Sequence, residues 1–353
     1  ELRFFTGGGA WTVLAALVVG AIAFFPLLAW TSVEGGGLLP LSSTLPGLWS
    51  DAAYGRRELG LGVVGPADPF AAVVAILGSL TPWNPSMALV VLWILALPLA
   101  ALGGWFAATR LTERSGLRIA AATLWALAPT FLTALTQGRP AAVAVHLLLP
   151  WLFYAGAMAR RSWGSAGVAS LLLAAVVACA PSLAPALVVL WLAALVTAGR
   201  GAARVALLPI PALAMFAPLI WFRGIRNGDL WGLFADPGVV WAAPQAAADV
   251  AGRALLASGF PTPDLAGWTT WLTGASAGDV GDAWWLALPL VPLAVLALLS
   301  LSTPRWPVGG ALVGVAVLGL ASAFFAAGFV VQFAVGTPVA LWPGSALSLA
   351  WLG

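Results

Sequence analysis

The chain has 353 residues, 62% of them apolar and 8% charged, with a mean hydropathy of +1.02. That composition excludes a water-soluble domain and defines a polytopic membrane protein, whose stability comes from close helix packing over small residues such as its 40 Gly. The 15 basic residues, all Arg, and the 12 acids are dispersed along the chain, so a net charge of +3 builds no basic groove and a nucleic-acid partner is excluded.

The first apolar run, 10 to 30, is long enough to span a bilayer and has no small-x-small cleavage site behind it, so it reads as a spanning helix and not as a signal peptide. Further spans are expected at 85 to 109, 117 to 136, 140 to 158, 164 to 179, 182 to 198, 205 to 222, 284 to 302 and 307 to 335, about nine in all. The apolar piece Phe70 to Leu80, bracketed by ADP and TPWNP, is too short to cross roughly 30 Å of hydrocarbon and reads as a re-entrant or surface-lying helix. The expected fold class is an all-α transmembrane helix bundle, with 1–353 as a single domain. Because the chain starts at Glu1 and stops within GSALSLAWLG, it reads as a piece of a longer protein.

Treating Phe70 to Leu80 as a fold-back sorts the charges. Nine Arg (Arg3, Arg110, Arg114, Arg118, Arg160, Arg161, Arg200, Arg204, Arg305) then share one side with two acids, Glu1 and Glu113, while six Arg and ten acids lie on the other. The positive-inside rule makes the Arg-rich side cytoplasmic and the location the plasma membrane. Two long segments, 31–69 and 223–283, become extracytoplasmic loops. The second carries turn signals and one expected helix across Gln245 to Ser258, and Pro-Ser-Leu-Ala-Pro at 181 to 185 becomes an outer turn. Trp49, Trp83, Trp231, Trp241, Trp268 and Trp271 fall on the outer side. Cys179, alone in LLLAAVVACAP, has no partner for a disulfide within the chain and reads as a small packing residue.

The stretch LWSDAAYGRRELGLGVVGPADPF concentrates Asp51, Arg56, Arg57, Glu58 and Asp68 on the outer face. It either lines a cavity at the membrane surface, with Arg56 and Arg57 as binding groups, or solvates an amphipathic surface helix. Glu34, ahead of Gly35-Gly36-Gly37, and Asp51 are the candidate catalytic carboxylates, suited to activating a sugar hydroxyl or to metal-assisted release of a lipid phosphate. A divalent cation is the one cofactor such acids suggest, although no metal-ligand motif is present. Asp68 is a further binding candidate, whose Asp-Pro sequence also fits an N-cap followed by Pro69.

In TQGRPAAVAVHLLLPW, Arg139 and His146 are seven residues apart and share a helical face. Arg139 at the outer end suits a bidentate phosphate contact, and His146, two turns deeper, suits a hydrogen bond or a proton transfer. For each the plain alternative is structural, an Arg that snorkels and a His that is packed. Walker, GxSxG and HExxH motifs are absent, and a single His excludes a poly-His metal centre.

Across GGGLLPLSSTLPGLWSDAAYGRRELGLGVVGPADPF, ALPLAALGGWFAATRLT, LWALAPTFLTALTQGRPAAVAVHLLLPW and CAPSLAPALVVLW, the chain resembles the membrane region of actinobacterial multi-pass glycosyltransferases, in which a cytoplasmic family 2 glycosyltransferase domain precedes the membrane domain. The resemblance implies that nucleotide-sugar chemistry lies upstream of Glu1, in a fused or associated domain, and that this piece handles a polyprenyl-phosphate-linked sugar or glycan at the outer leaflet. The order of elements is also similar to C-type glycosyltransferases, whose first outer loop supplies a base; that role would fall on Glu34 or Asp51. Here Glu34 stands alone before three glycines, without the paired acids of that architecture. The alternatives are a glycan or lipid transporter of flippase type and a non-catalytic anchor of an envelope complex.

Overall fold

The computed structural model describes residues 2–53, 55–57, 63–237, 250–259, 290–334 and 337–353. The chain divides into two compact units, Glu1–Trp241 and Ala242–Gly353.

The first unit is helical. A short α1, Leu2–Thr6, leads into α2, Gly9–Ala23, which ends in a 3-10 turn, Phe25–Ala29, where Pro26 halts it. There follow α3, Leu45–Ala52, the strands β1, Gly55–Arg57, and β2, Val63–Gly65, and α4, Pro69–Gly78. The bundle proper is α5, Met87–Ala108; α6, Ser115–Ala126; α7, Pro129–Thr136; α8, Pro140–Ala159; α9, Trp163–Cys179; α10, Ala184–Thr197; α11, Ala202–Ala206; and α12, Ile210–Leu219, which runs on as a π-helical stretch, Ile220–Arg226, behind Pro218.

Small residues let these helices approach. A Cβ on Gly104 would meet Trp125 Cβ at 3.0 Å and Ala122 Cα at 3.1 Å, so α5 and α6 are in contact through a position that takes no side chain. Buried Trp93 on α5 donates its indole N–H to the Leu135 carbonyl at 3.2 Å, tying α5 to the last turn of α7. α9 packs on α4, α8 and α12, and Ser170 on α9 donates to the Leu208 carbonyl at 2.8 Å. Outward faces carry exposed apolar side chains, among them Trp11, Ile22, Leu171 and Val196, the surface a bilayer solvates.

The second unit contains, among its described residues, the helices Val250–Ala257, Leu290–Leu299, Trp306–Gly328 and Gly344–Leu352 and an antiparallel pair, Val330–Ala334 with Thr337–Ala340. Trp306–Gly328 packs on Gly344–Leu352 through Gly319, where a Cβ would meet the Ala350 backbone nitrogen at 2.4 Å.

The expected count of nine spans is not reached. Among the described residues five helices are long and apolar enough to cross a membrane, or six if α9 and α10 form one bent span. The reasons are local. α2 has only 15 residues, about 22 Å of helix at roughly 1.5 Å per residue. α9 and α10 meet at 116° across Pro181–Leu183, where two antiparallel spans were expected. Apolar composition alone does not show where Pro breaks a run. The helix expected to be too short to span, α4, has 10 residues. Of the two alternatives for the charged stretch, one amphipathic helix carrying Asp51, Arg56 and Arg57 is not formed: helix ends at Ala52, and Gly55–Arg57 pairs antiparallel with Val63–Gly65 in the register Arg56 to Val64. The β-branched Val63 and Val64 favour that pairing. Tyr54 and Glu58, residues 245–249 and 284–289 of two expected helices, and Trp241, Trp268 and Trp271 lie outside the described residues.

Candidate functional site

The glycine triplet Gly35–Gly37, beside candidate Glu34, fastens its loop to the segment just ahead of candidate Arg139. Gly37 donates its N–H to the Gly138 carbonyl at 2.9 Å, and Gly35 and Leu38 exchange backbone bonds at 3.2 and 3.0 Å. Gly36 and Gly138 both have φ of +62°. A Cβ on Gly36 would fall 2.0 Å from the Gln137 carbonyl oxygen, and one on Gly138 2.5 Å from that of Gly35. Only glycine fits both the left-handed backbone and the close approach. What these glycines admit is the backbone that precedes Arg139.

Arg139 occupies the N-cap position of α8 and is partly buried. Its Nε donates to Gln137 Oε1 at 2.8 Å. Burial lowers its pKa to about 10, against the pull of Asp236, so it remains a cation at neutral pH.

Asp236 follows a 3-10 turn, Trp231–Phe234, and is gripped by Ser182 in the bend between α9 and α10. The Ser182 backbone N–H donates to Oδ1 at 3.2 Å and its hydroxyl to Oδ2 at 2.9 Å. Burial pushes the Asp236 pKa up to about 7, outweighing the Ser182 bonds and the attraction of Arg139, while Asp68 adds repulsion. Asp68 caps α4, its Oδ1 accepting the Phe70 N–H at 2.9 Å, with Pro69 in the first turn. Asp68 is exposed, yet desolvation of its carboxyl group pushes its pKa up, while the Phe70 N–H and the charge of Arg223 pull the other way. Arg223 in turn pairs with Asp229 at 2.8 Å, and Asp229 Oδ1 accepts the Gly232 N–H at 2.8 Å. Asp229 is held below the ordinary carboxylate range by that N–H and by Arg223. Buried Cys179, at the end of α9, lies within electrostatic reach of both Asp68 and Asp236.

The outcome is a polar cluster of Asp68, Arg139, Ser182 and Asp236, contributed by four separate segments. Two of the seven candidate residues, Arg139 and Asp68, belong to it. Glu34 is exposed on the loop just ahead of the glycine clasp. Asp51, also exposed, lies in the last turn of α3 and accepts a hydrogen bond from the Ser42 hydroxyl. The convergence of Glu34 and Asp51 with Arg139 on one cavity, which an active site built on them requires, is not among the described contacts. Arg56 and Arg57 sit on β1.

His146 has another job. It is fully buried and lies flat between Trp125 at 3.9 Å and Phe131 at 4.3 Å between ring centroids. Its Nε2–H donates to the Trp125 carbonyl at 3.0 Å, near the end of α6, and that carbonyl also accepts the Ala128 N–H at 3.3 Å. The shared face with Arg139 therefore makes no phosphate pair: both ring faces and Nε2 are committed to the core.

The residues the sequence left unassigned are Ser182 and Asp236. Each was expected on the outer side, but their pairing spans 54 positions, and no local pattern encodes it. Among the described residues no three His, Cys, Asp or Glu side chains gather as a metal site. No protein-family model, curated protein or solved structure matches this chain.

Proposed function

We propose that this chain is the membrane domain of a cell-envelope glycosyltransferase that handles a polyprenyl-phosphate-linked sugar or glycan at the outer leaflet. The observation that carries the reading is the pairing of Ser182 with Asp236 beside Arg139. A guanidinium suits the lipid phosphate, and a carboxylate that titrates near neutrality suits a general base taking a proton from a sugar hydroxyl. In this reading the base role moves from Glu34 and Asp51 to Asp236, with Arg139 on the phosphate and Asp68 shaping the field.

The proposed sidedness has independent support. Gly35–Gly37, Asp68, Arg139, Ser182 and Asp236 come from five segments that the charge bias assigns to the outside, and hydrogen bonds or electrostatic coupling link the glycine clasp to Arg139 and the other members to one another. Residues assigned to the inside also associate. Arg204 donates to the Arg160 carbonyl at 2.9 Å and Arg118 to the Thr112 carbonyl at 2.8 Å.

The test is sugar transfer from a radiolabelled polyprenyl-phosphate donor. General-base assistance contributes about a hundredfold or more, so Asp236→Asn is expected to lower turnover by roughly that factor, and Arg139→Ala to weaken donor binding, while Glu34→Gln and Asp51→Asn retain activity. Transfer unchanged in Asp236→Asn and Arg139→Ala removes the site from the chemistry. A second reading, a glycan or lipid transporter, is favoured by the 116° break between α9 and α10, because broken helices with polar groups at the break mark transporter binding sites. Flux of labelled lipid across vesicles without sugar transfer would select it.

A further inference from the structure

An open groove of about 230 Å³ runs between α9, α10 and α12. Its walls include Leu173, Val177, Val188, Leu213 and Phe216, and every residue lining it is apolar. At one end stand Pro181, Leu233 and Phe234. Pro181 immediately precedes Ser182, and Phe234 lies two residues before Asp236, so the lining at that end runs along the chain into the hydrogen-bonded Ser182–Asp236 pair, which itself stands outside the groove. The volume is below the roughly 300–1,000 Å³ of pockets that enclose compact ligands. It suits a length of hydrocarbon chain entering from the side.

We propose that this groove seats the hydrocarbon chain of an anionic single-chain amphiphile whose headgroup lies against Arg139. The proposal rests on the reading of Arg139 as a phosphate contact and names where the rest of such a ligand goes. Three features select this occupant. The lining offers a polar headgroup no partner, so only a chain fits along it. Beyond that end Arg139, coupled electrostatically to Asp236, stays charged at neutral pH and is the complement of a phosphate. Asp236, which burial keeps largely from ionising below neutrality, opposes an anion less than an ordinary carboxylate would. The molecule also supplies its own comparison. A second groove, of about 430 Å³ between α2, α5 and α6, is lined by Trp11, Val19, Leu97 and Ile119 among others, and none of its lining residues adjoins the Arg139 cluster in sequence or by a described contact.

The experiment uses the purified chain in nanodiscs with hexadecyl phosphate carrying a diazirine near its chain end, and with the matching alcohol. Photolabelled peptides are mapped by mass spectrometry. The phosphate is expected to label the α9–α10–α12 groove about tenfold more than the alcohol, as a charge-assisted contact worth at least 1.4 kcal/mol implies, and to show no such preference at the α2–α5–α6 groove. Val188→Trp and Leu213→Trp, at exposed lining positions, are expected to abolish that labelling, and Leu192→Trp, on α10 outside the lining, to leave it unchanged. Arg139→Lys is expected to retain part of the phosphate preference and Arg139→Ala to lose it. Equal labelling by phosphate and alcohol, or equal labelling of the two grooves, means ordinary bilayer lipid and overturns the proposal, as does persistent labelling in the filled variants. Preferred labelling without sugar transfer keeps the groove and sinks the enzyme reading. Sugar transfer that survives both Trp variants keeps the enzyme reading and sinks the groove.

Discussion

Ser182 gives its backbone N–H to one oxygen of Asp236 and its hydroxyl to the other, at 3.2 and 2.9 Å, joining the α9–α10 bend to a loop 54 residues later. Both bonds favour the ionised carboxylate and hold back the upward push of burial. Ser182→Ala leaves the N–H bond and removes the hydroxyl, so the Asp236 pKa is expected to rise further. Infrared titration of the protonated carboxyl band, with Asp236→Asn to identify it, reads the shift directly; a downward shift in Ser182→Ala contradicts the assignment.

Stability is expected to fall as pH rises through neutrality. The folded-state pKa of Asp236, about 7, lies above the ordinary value of 3.8. The folded state therefore holds a proton that the unfolded state releases, and this favours folding fully below about pH 4 and is lost as pH passes about 7. Asp68, also raised, acts in the same direction. Burial sets the raised Asp236 value, with Ser182 and Arg139 pulling it down and Asp68 pushing it up, and Arg139 does not titrate in this window. Thermal denaturation in detergent between pH 4 and 8 should show the decline in the native chain and a flatter profile in Asp236→Asn.

The glycine clasp should tolerate no side chain. Gly36→Ala and Gly138→Ala each combine a left-handed backbone with a contact on backbone oxygen, at 2.0 and 2.5 Å. Strain of about 1–3 kcal/mol arises from the backbone alone, so each is expected to lower the melting temperature and loosen Arg139. Gly116→Ala, near the start of α6 with nothing within 4 Å of the added carbon, is expected to be neutral or slightly stabilising. Equal melting temperatures for all three would mean the two loops are not clasped.

His146 is expected to matter for stability and not for ligand chemistry. Its removal as His146→Ala opens a cavity between Trp125 and Phe131, at a cost of about 2–5 kcal/mol by analogy with other large-to-small core changes. His146→Phe keeps the stacking and loses one hydrogen bond to a carbonyl that still accepts the Ala128 N–H, about 0.5–1.5 kcal/mol. Binding of the alkyl phosphate per folded molecule should match the native chain in His146→Phe. A large affinity loss there, with the fold intact, would restore the ligand role.

Membrane character and most apolar helices were legible in the sequence because the bilayer demands long uncharged runs and satisfied backbone groups, a constraint written locally. The shortness of α4 and its Asp68–Pro69 cap were legible for the same reason: length, a cap and a proline act within a few residues. What the sequence did not carry were relations across distance. The α9–α10 boundary was visible as Pro-Ser-Leu-Ala-Pro, but whether two runs form two spans or one bent path depends on what α9 packs against. Glu34 and Asp51 were conspicuous as acids near the first span, yet conspicuousness in sequence carries no information about convergence.

Composition and spacing by themselves determined that this is a membrane helix protein, where its apolar runs lie, and which end of each run carries Arg. Only the tertiary structure decided that Gly35–Gly37 close on Gln137–Gly138, that His146 is spent between two aromatic rings, and that Ser182 meets Asp236 beside Arg139. The physical reason is range. Hydrophobicity and capping are properties of a residue and its near neighbours, whereas the raised pKa of Asp236 is a property of the protein packed around it and of charges brought in from segments more than 50 positions away.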